Sequence, residues 1–305
     1  MFKVVVIGGS GLLGRAIVRE LASRTGWQVT ATAFSRADGR MTVLDVRDSD
    51  AVTHFIASAK PDAVVIAAAE RRPDICEQQP LVARALNVDA VRTVAQAAAL
   101  CGAWTLSIST DYVFDGSKPP YHSSDQPNPL NAYGVSKLDG ERALFEATGS
   151  CCVLRLPLLF GPIVDWQESA VTSLVPAIVA SASNSSDATP AVMDAWATRY
   201  PTYTPDVAVV IRQLIERRLQ GAPACGLFHW SGDEPMTKYD IALKIAATMG
   251  FTARLSPQHS PADSTPRPRD CHLDSQVLEE MGIGRRTPFA EAIKETLDAF
   301  PWRGA

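Results

Sequence analysis

The sequence predicts a doubly wound α/β fold, a parallel sheet with helices on both faces, carrying a smaller C-terminal lobe. Three observations predict it. Short apolar runs alternate with helical patterns through residues 1–160, which is the signature of βαβ units with right-handed crossovers. A glycine-rich turn joins the first such run to the first helical pattern. The 305-residue length suits one large α/β domain or two modest ones.

The elements follow in order. Lys3–Ile7 is a β-branched run, hence a strand. Leu12–Ser23 has apolar residues at 12, 13, 16, 17 and 21, the spacing of a helix face. Gln28–Phe34 reads as a second strand and Met41–Leu44 as a short third. Ala51–Ala59 is helical, Ala63–Ile66 a buried strand and Leu81–Leu100 one long Ala-rich helix. Trp104–Ile108 is a strand, Leu130–Ala147 a helix and Cys152–Leu156 a strand. The second half is less regular. Ser181–Pro190 reads as a polar surface loop, Pro205–Leu219 and Met236–Met249 as helices, and Gly226–Trp230 as a strand between them. Ser256–Arg269, with four prolines, is expected to be extended. The chain is therefore divided into a cofactor domain, 1–160, and a substrate or partner lobe, 161–305, with elements of the two halves interleaved.

Composition excludes several classes. Hydrophobic residues are 46%, charged residues 20% and aromatics 7%, the usage of a globular protein rather than of a disordered or fibrous one. A net charge of -4 disfavours a nucleic-acid partner. No apolar run approaches the ~18 residues of a membrane span. The N-terminal run is too short for a secretory signal. Six cysteines, at 76, 101, 151, 152, 225 and 271, form no C-x-x-C pair. Reduced thiols in a cytoplasmic protein are expected, and the histidines and acids show no metal-site spacing.

The chemistry begins at Gly8-Gly9-Ser10-Gly11-Leu12-Leu13-Gly14, a G-x-x-G-x-x-G turn between a strand and a helix. Glycines let the backbone approach a pyrophosphate, and the helix N-terminus offers unpaired N–H groups and partial positive charge. This is a Rossmann dinucleotide loop. Sites that prefer NAD place an acid at the end of the second strand, against the ribose 2′-hydroxyl. Here that stretch is Ala33-Phe34-Ser35-Arg36, without an acid. Arg36 and Ser35 suit a 2′-phosphate, so the expected cofactor is NADP. Asp45 is placed either to meet the adenine amino group or to cap the next helix.

Tyr133-Gly134-Val135-Ser136-Lys137 is Y-x-x-x-K on a predicted helix, so phenol and ammonium share one face. A free phenol titrates near ~10, and a neighbouring ammonium is expected to lower that value. Thr110 ends the strand before it, at the carboxyl edge of the sheet where such folds bind ligands. Its hydroxyl is placed to hold a substrate carbonyl beside Tyr133. Arg71 and Arg72, just past a strand end, are placed for an anion, as are Arg267 and Arg269. His229 and Trp230 close a strand and fit a cleft wall or a structural histidine equally well.

The glycine loop, Thr110 and the Tyr133/Lys137 pair together resemble the extended short-chain dehydrogenase/reductase superfamily. Two of its branches are similar to this chain. Ser109-Thr110-Asp111-Tyr112-Val113-Phe114 and Pro129-Leu130-Asn131-Ala132-Tyr133-Gly134 resemble dTDP-4-dehydrorhamnose reductases. The likeness to the regulatory β subunit of methionine adenosyltransferase runs longer. It takes in Ala68-Ala69-Glu70-Arg71-Arg72-Pro73-Asp74, Glu168-Ser169-Ala170-Val171-Thr172, Phe228-His229-Trp230-Ser231-Gly232 and Gly282-Ile283-Gly284-Arg285-Arg286-Thr287-Pro288-Phe289.

That resemblance implies an NADP-binding protein that associates with a catalytic methionine adenosyltransferase subunit and tunes it. It places cofactor contacts on Gly11 to Gly14, Phe34 to Arg36, Asp45 and Val46, with Ala67, Arg71, Tyr133, Lys137 and Leu159 completing the site. Gly8 and Ser10 belong to the same loop. The alternative is an NADPH-dependent reductase of a 4-keto-6-deoxy sugar nucleotide, with Thr110, Tyr133 and Lys137 catalytic: Tyr133 donates the proton, Lys137 tunes it and Thr110 orients the carbonyl. Two departures stand out. A β-subunit tail is expected to dock into the catalytic subunit, and here the chain stops soon after Phe300-Pro301-Trp302-Arg303. The glutamate that follows the reductases' glycine loop is replaced by Ala16, so their metal-linked dimer contact is not expected.

Overall fold

The structure, a computed structural model, describes residues 1–37, 39–182, 189–250, 252–261 and 265–300. Most of the polar loop expected over 181–190 lies outside the described residues. So do residues 262–264 of the proline-rich stretch and the end of the chain after Phe300.

The first half alternates as expected: β1 (Phe2–Ile7), α1 (Leu12–Ala22), β2 (Trp27–Ala33), β3 (Thr42–Val43), α2 (Ser49–Ala59), β4 (Ala63–Ile66), α3 (Pro73–Gln78), α4 (Pro80–Arg84), α5 (Ala90–Leu100), β5 (Trp104–Thr110), α6 (Ala132–Ala147) and β6 (Cys151–Leu156). The second half adds β7 (Leu159–Phe160), α7 (Val175–Ser181), β8 (Ala191–Asp194), β9 (Thr202–Tyr203), α8 (Thr204–Leu219), β10 (Gly226–His229), α9 (Lys238–Met249), β11 (Leu255–Gln258), α10 (Gln276–Glu280) and α11 (Phe289–Asp298). Seven strands form one parallel sheet in the order β10-β6-β5-β4-β1-β2-β3. The strand β10, from beyond residue 160, closes one edge of it.

The sheet is apolar on both faces, which is why its strands read as continuous hydrophobic runs. Val4 and Val6 join Leu13, Ile17 and Leu21 of α1 and Val207, Ile211 and Leu214 of α8 in one core. Val5 and Ile7 point the other way, onto Val52 and Ile56 of α2 and Val91 and Val94 of α5. A separate core built on Phe160, Ile178, Tyr203, Ile241 and Ile293 supports the smaller lobe. Local chemistry sets the helix starts. Asp48 caps α2 by accepting from the Asp50 and Ala51 N–H groups. Thr237 and Asp240 form a reciprocal capping box, so α9 begins at Lys238 rather than at Met236 as expected. Among the described residues no helix is long and apolar enough to cross a membrane.

The long helix expected over Leu81–Leu100 is interrupted by a π-turn at Ala85–Asp89. The reason is Asn87, whose fully buried amide accepts from the Glu70 N–H (2.9 Å) and donates to the Glu70 carbonyl (3.0 Å) and Ser136 Oγ (2.9 Å). A wider turn aims that side chain inward. It also brings the Asn87 carbonyl against α6, where a Cβ at Gly140 would lie 2.1 Å from the oxygen. Gly140→Ala is therefore expected to cost about 1–3 kcal/mol in urea unfolding. An unchanged midpoint would show that the two helices separate freely.

Candidate cofactor and active site

A cleft of about 620 Å³ opens where the strands of the sheet end. The expected site residues all line it: Gly8, Ser10 and Gly11 to Gly14 from the first turn, Phe34 to Arg36 from the end of β2, Asp45 and Val46 after β3, Ala67 and Arg71 after β4, Thr110 at the end of β5, Tyr133 and Lys137 on α6, and Leu159 on β7.

The glycine turn shows why it needs glycine. A Cβ on Gly14 would sit 2.1 Å from the Gly8 carbonyl oxygen and 2.9 Å from the Gly9 Cα. Helix α1 follows Gly11 at its N-cap position, with no side-chain cap and no acid in its first turn, so no carboxylate of its own competes for the positive end. This cradle fits a dinucleotide pyrophosphate.

At the end of β2, Phe34 is 59% exposed, with the Arg47 guanidinium 5.3 Å from its ring centre. Arg47 also grips Asp45, with Nη2 at 2.6 Å and Nε at 2.8 Å, and these bonds hold the Asp45 carboxyl below its usual range. Asp45 is not the cap of α2, because Asp48 fills that position. Arg36 meets Glu168 at 2.6 Å. Arg71 donates to the Gln167 carbonyl at 3.1 Å, and burial pulls its pKa down. Arg72 is paired with Glu70 at 2.6 Å, and Arg267 with Asp74 at 3.1 Å.

Thr110 caps the 3-10 turn Asp111–Val113. Its hydroxyl accepts from the Tyr112 N–H (3.2 Å) and donates to the Asp111 carboxylate (3.0 Å). Burial raises the Asp111 pKa to about 7 against the opposing charge of Arg199. Tyr133 lies in the first turn of α6, which Asn131 caps by accepting from the Gly134 N–H at 2.9 Å. The Tyr112 and Tyr133 rings meet edge to face, 5.9 Å apart.

The expected lowering of the Tyr133 phenol by Lys137 is reversed. Burial drives its pKa well above the usual value, although a hydrogen bond with the Thr110 hydroxyl acts to lower it. The Lys137 ammonium donates instead to the Ile108 carbonyl at 2.8 Å. Burial lowers the Lys137 pKa to about 8, opposed by Glu141. At neutral pH the site thus holds a neutral phenol, a proton donor rather than a base.

His229 is decided as structural. It is buried, with Nδ1 3.2 Å from the Tyr121 carbonyl and Nε2 3.4 Å from Arg155. Burial pushes its pKa down to about 3, so it stays neutral. Trp230 is buried under the Arg286 guanidinium, 4.2 Å from its ring. Neither lines the cleft, and Arg269 is also outside it. Several residues in the cleft were not expected from the sequence, among them Arg47, Glu168 and Arg199. Glu168 carried no motif beyond its place in a resemblance block. Arg199 sits in an irregular connection, where it donates to the carbonyls of Thr198 (2.9 Å) and Pro268 (3.0 Å).

Fold and cleft together define an α/β protein of the extended short-chain dehydrogenase/reductase type. Comparison with known proteins is consistent with this and more specific. The family described as the RmlD substrate binding domain matches residues 2–301, and the chain belongs to that family. It is similar to "Methionine adenosyltransferase 2 subunit beta" of Pongo abelii, at 45% identity over 300 residues, covering 98% of this chain and 88% of that one. It is also similar to "dTDP-4-dehydrorhamnose reductase" of Aggregatibacter actinomycetemcomitans, at 32% identity over 247 residues, 80% of this chain and 78% of that one. Among solved structures, a dTDP-4-dehydrorhamnose reductase from Clostridium acetobutylicum superposes with a TM-score of 0.84 at 27% identity, covering 97% of this chain and 99% of that chain.

Proposed function

We propose that this chain is an NADP-binding regulatory subunit that associates with a methionine adenosyltransferase catalytic subunit and modulates S-adenosylmethionine synthesis in the cytoplasm. The observation that carries the reading is the 45% identity to relatives named as that β subunit, extending over 98% of the chain. In this reading residues 1–160 hold the dinucleotide and residues 161–305 contribute the partner-facing lobe. The α1 N-terminus and glycine turn hold the pyrophosphate, Phe34 packs on the adenine, Arg36 meets the 2′-phosphate, and Tyr133 and Lys137 face the nicotinamide end. Six free cysteines accord with a reducing compartment.

The test mixes the protein and NADP with a methionine adenosyltransferase catalytic subunit from the same organism. Light scattering after size exclusion then gives the mass of what elutes. A stable hetero-complex is expected. Separate elution at micromolar concentration would move the assignment to a second reading.

That second reading is an NADPH-dependent reductase of a 4-keto-6-deoxy sugar nucleotide. Its support is the meeting of Thr110, Tyr133 and Lys137 in one cleft with the phenol protonated. NADPH would supply the hydride, and Tyr133 the proton, to a carbonyl held by Thr110.

The cofactor assignment has its own test. Arg36→Ala is expected to weaken NADP about tenfold or more, the worth of a charge-assisted hydrogen bond, while leaving NAD nearly unchanged. Titration calorimetry with both dinucleotides measures this, and equal weakening of the two overturns the 2′-phosphate contact.

A further inference from the structure

The 3-10 turn Trp166–Glu168 reaches into the cleft from the second half of the chain. Glu168 is only 6% exposed, yet its carboxylate takes four donors. Arg15 contributes Nη1 at 2.9 Å and Nη2 at 2.6 Å, the Val164 N–H approaches at 3.0 Å, and Arg36 Nη1 at 2.6 Å. The first three are scaffold. Arg15 also donates to the Ser10 carbonyl (2.7 Å) and the Pro162 carbonyl (3.3 Å), which ties the glycine turn to the turn's approach. Arg36 differs. Its side chain is 54% exposed, and it stands at the strand end where a dinucleotide's 2′-substituent is read.

We propose that Glu168 sets this chain's choice between dinucleotides, by contesting Arg36 with a 2′-phosphate, a contest that a 2′-hydroxyl does not enter. The inference rests on the dinucleotide reading of the cleft. The strand end itself carries no acid, since Ala33-Phe34-Ser35-Arg36 occupies it. Glu168 brings one to the same guanidinium from 132 residues away. A phosphate docking on Arg36 meets this carboxylate as a like charge, so the carboxylate must give up Arg36. A ribose hydroxyl carries no charge and leaves the Arg36–Glu168 pair intact. Burial presses the Glu168 pKa upward, but the bonds from Arg15 and Val164 outweigh it and keep the value low, so the charge persists at neutral pH. Arg36 and Glu168 therefore pull in opposite directions: one rewards the phosphate and the other moderates the reward.

The test is calorimetric titration of the full chain with NADP and with NAD. Glu168→Gln keeps one oxygen for Arg15 and Val164 and removes the charge. It is expected to raise the ratio of NADP to NAD affinity about tenfold, through tighter NADP with NAD little changed. Glu168→Asp keeps the charge but withdraws it by one methylene, and is expected to fall between Glu168→Gln and the wild type. A turn loosened by either variant weakens both dinucleotides together, so the ratio, not either affinity alone, is the readout. Ratios equal to wild type in both variants overturn the assignment to Glu168 while the cofactor reading stands. Wild-type protein that binds neither dinucleotide overturns both.

Discussion

Glu141→Gln is expected to destabilise the protein by about 3–5 kcal/mol, the loss that follows when one member of a buried ion pair is neutralised. Glu141 on α6 is 5% exposed and Arg155 on β6 is 2% exposed. Their contact is bidentate, with Nη2–Oε2 at 2.6 Å and Nε–Oε1 at 2.8 Å. Ser109 donates to the same carboxylate, and the Arg155 guanidinium lies 5.1 Å from the centre of the Phe114 ring. Without the carboxylate, Arg155 keeps its charge in a place water does not reach. Urea unfolding with an unchanged m-value measures the loss. A loss below about 1 kcal/mol, typical of exposed pairs, would show that water relaxes the site. The consequence reaches the cleft. Glu141 lies one turn beyond Lys137 and is the main group opposing the burial that lowers the Lys137 pKa. Its neutralisation is expected to push that pKa further below about 8.

Tyr133→Phe is expected to separate the two functional readings. If the chain reduces a keto-sugar nucleotide, the loss of the phenolic proton is expected to cut turnover by about 10²–10⁴-fold. Association with a methionine adenosyltransferase catalytic subunit is expected to be unaffected, because the hydroxyl lies inside the cleft beside Thr110 rather than on the outer surface. NADPH consumption with 4-keto-6-deoxy sugar nucleotides measures the first, and size-exclusion light scattering the second. A Phe variant that reduces substrate as fast as wild type would remove Tyr133 as the acid. A variant that loses the complex would place the cleft, not the outer surface, at the centre of regulation.

Much of the architecture was legible from short-range patterns. β1, the glycine turn and α1 were readable because strand, turn and helix are consecutive and each obeys a local rule. The same holds for Tyr133 and Lys137, which one helix places on one face. Short elements were missed for the converse reason. β7, β9 and α10 have too few residues to show a period, and β7 and β9 are ordered by pairing with each other. The helix over 81–100 was misread as uninterrupted because its π-turn answers to Glu70 and Ser136, which no local window contains.

The sequence by itself determined the doubly wound sheet, the dinucleotide turn, the Thr110, Tyr133 and Lys137 constellation and, by resemblance, the family to which the chain belongs. Only the tertiary structure decided the charges that act on them. It set Glu168 on Arg36 and Arg15, and Arg155 under Glu141. It raised the Tyr133 phenol, where proximity to a lysine in sequence had suggested the reverse. The physical reason is that hydrogen-bonded turns and helix faces depend on neighbours a few residues away. Desolvation and ion pairing depend on what the completed fold packs around a group, and here those partners come from other elements, 14 residues away for Arg155 and Glu141 and 132 for Arg36 and Glu168.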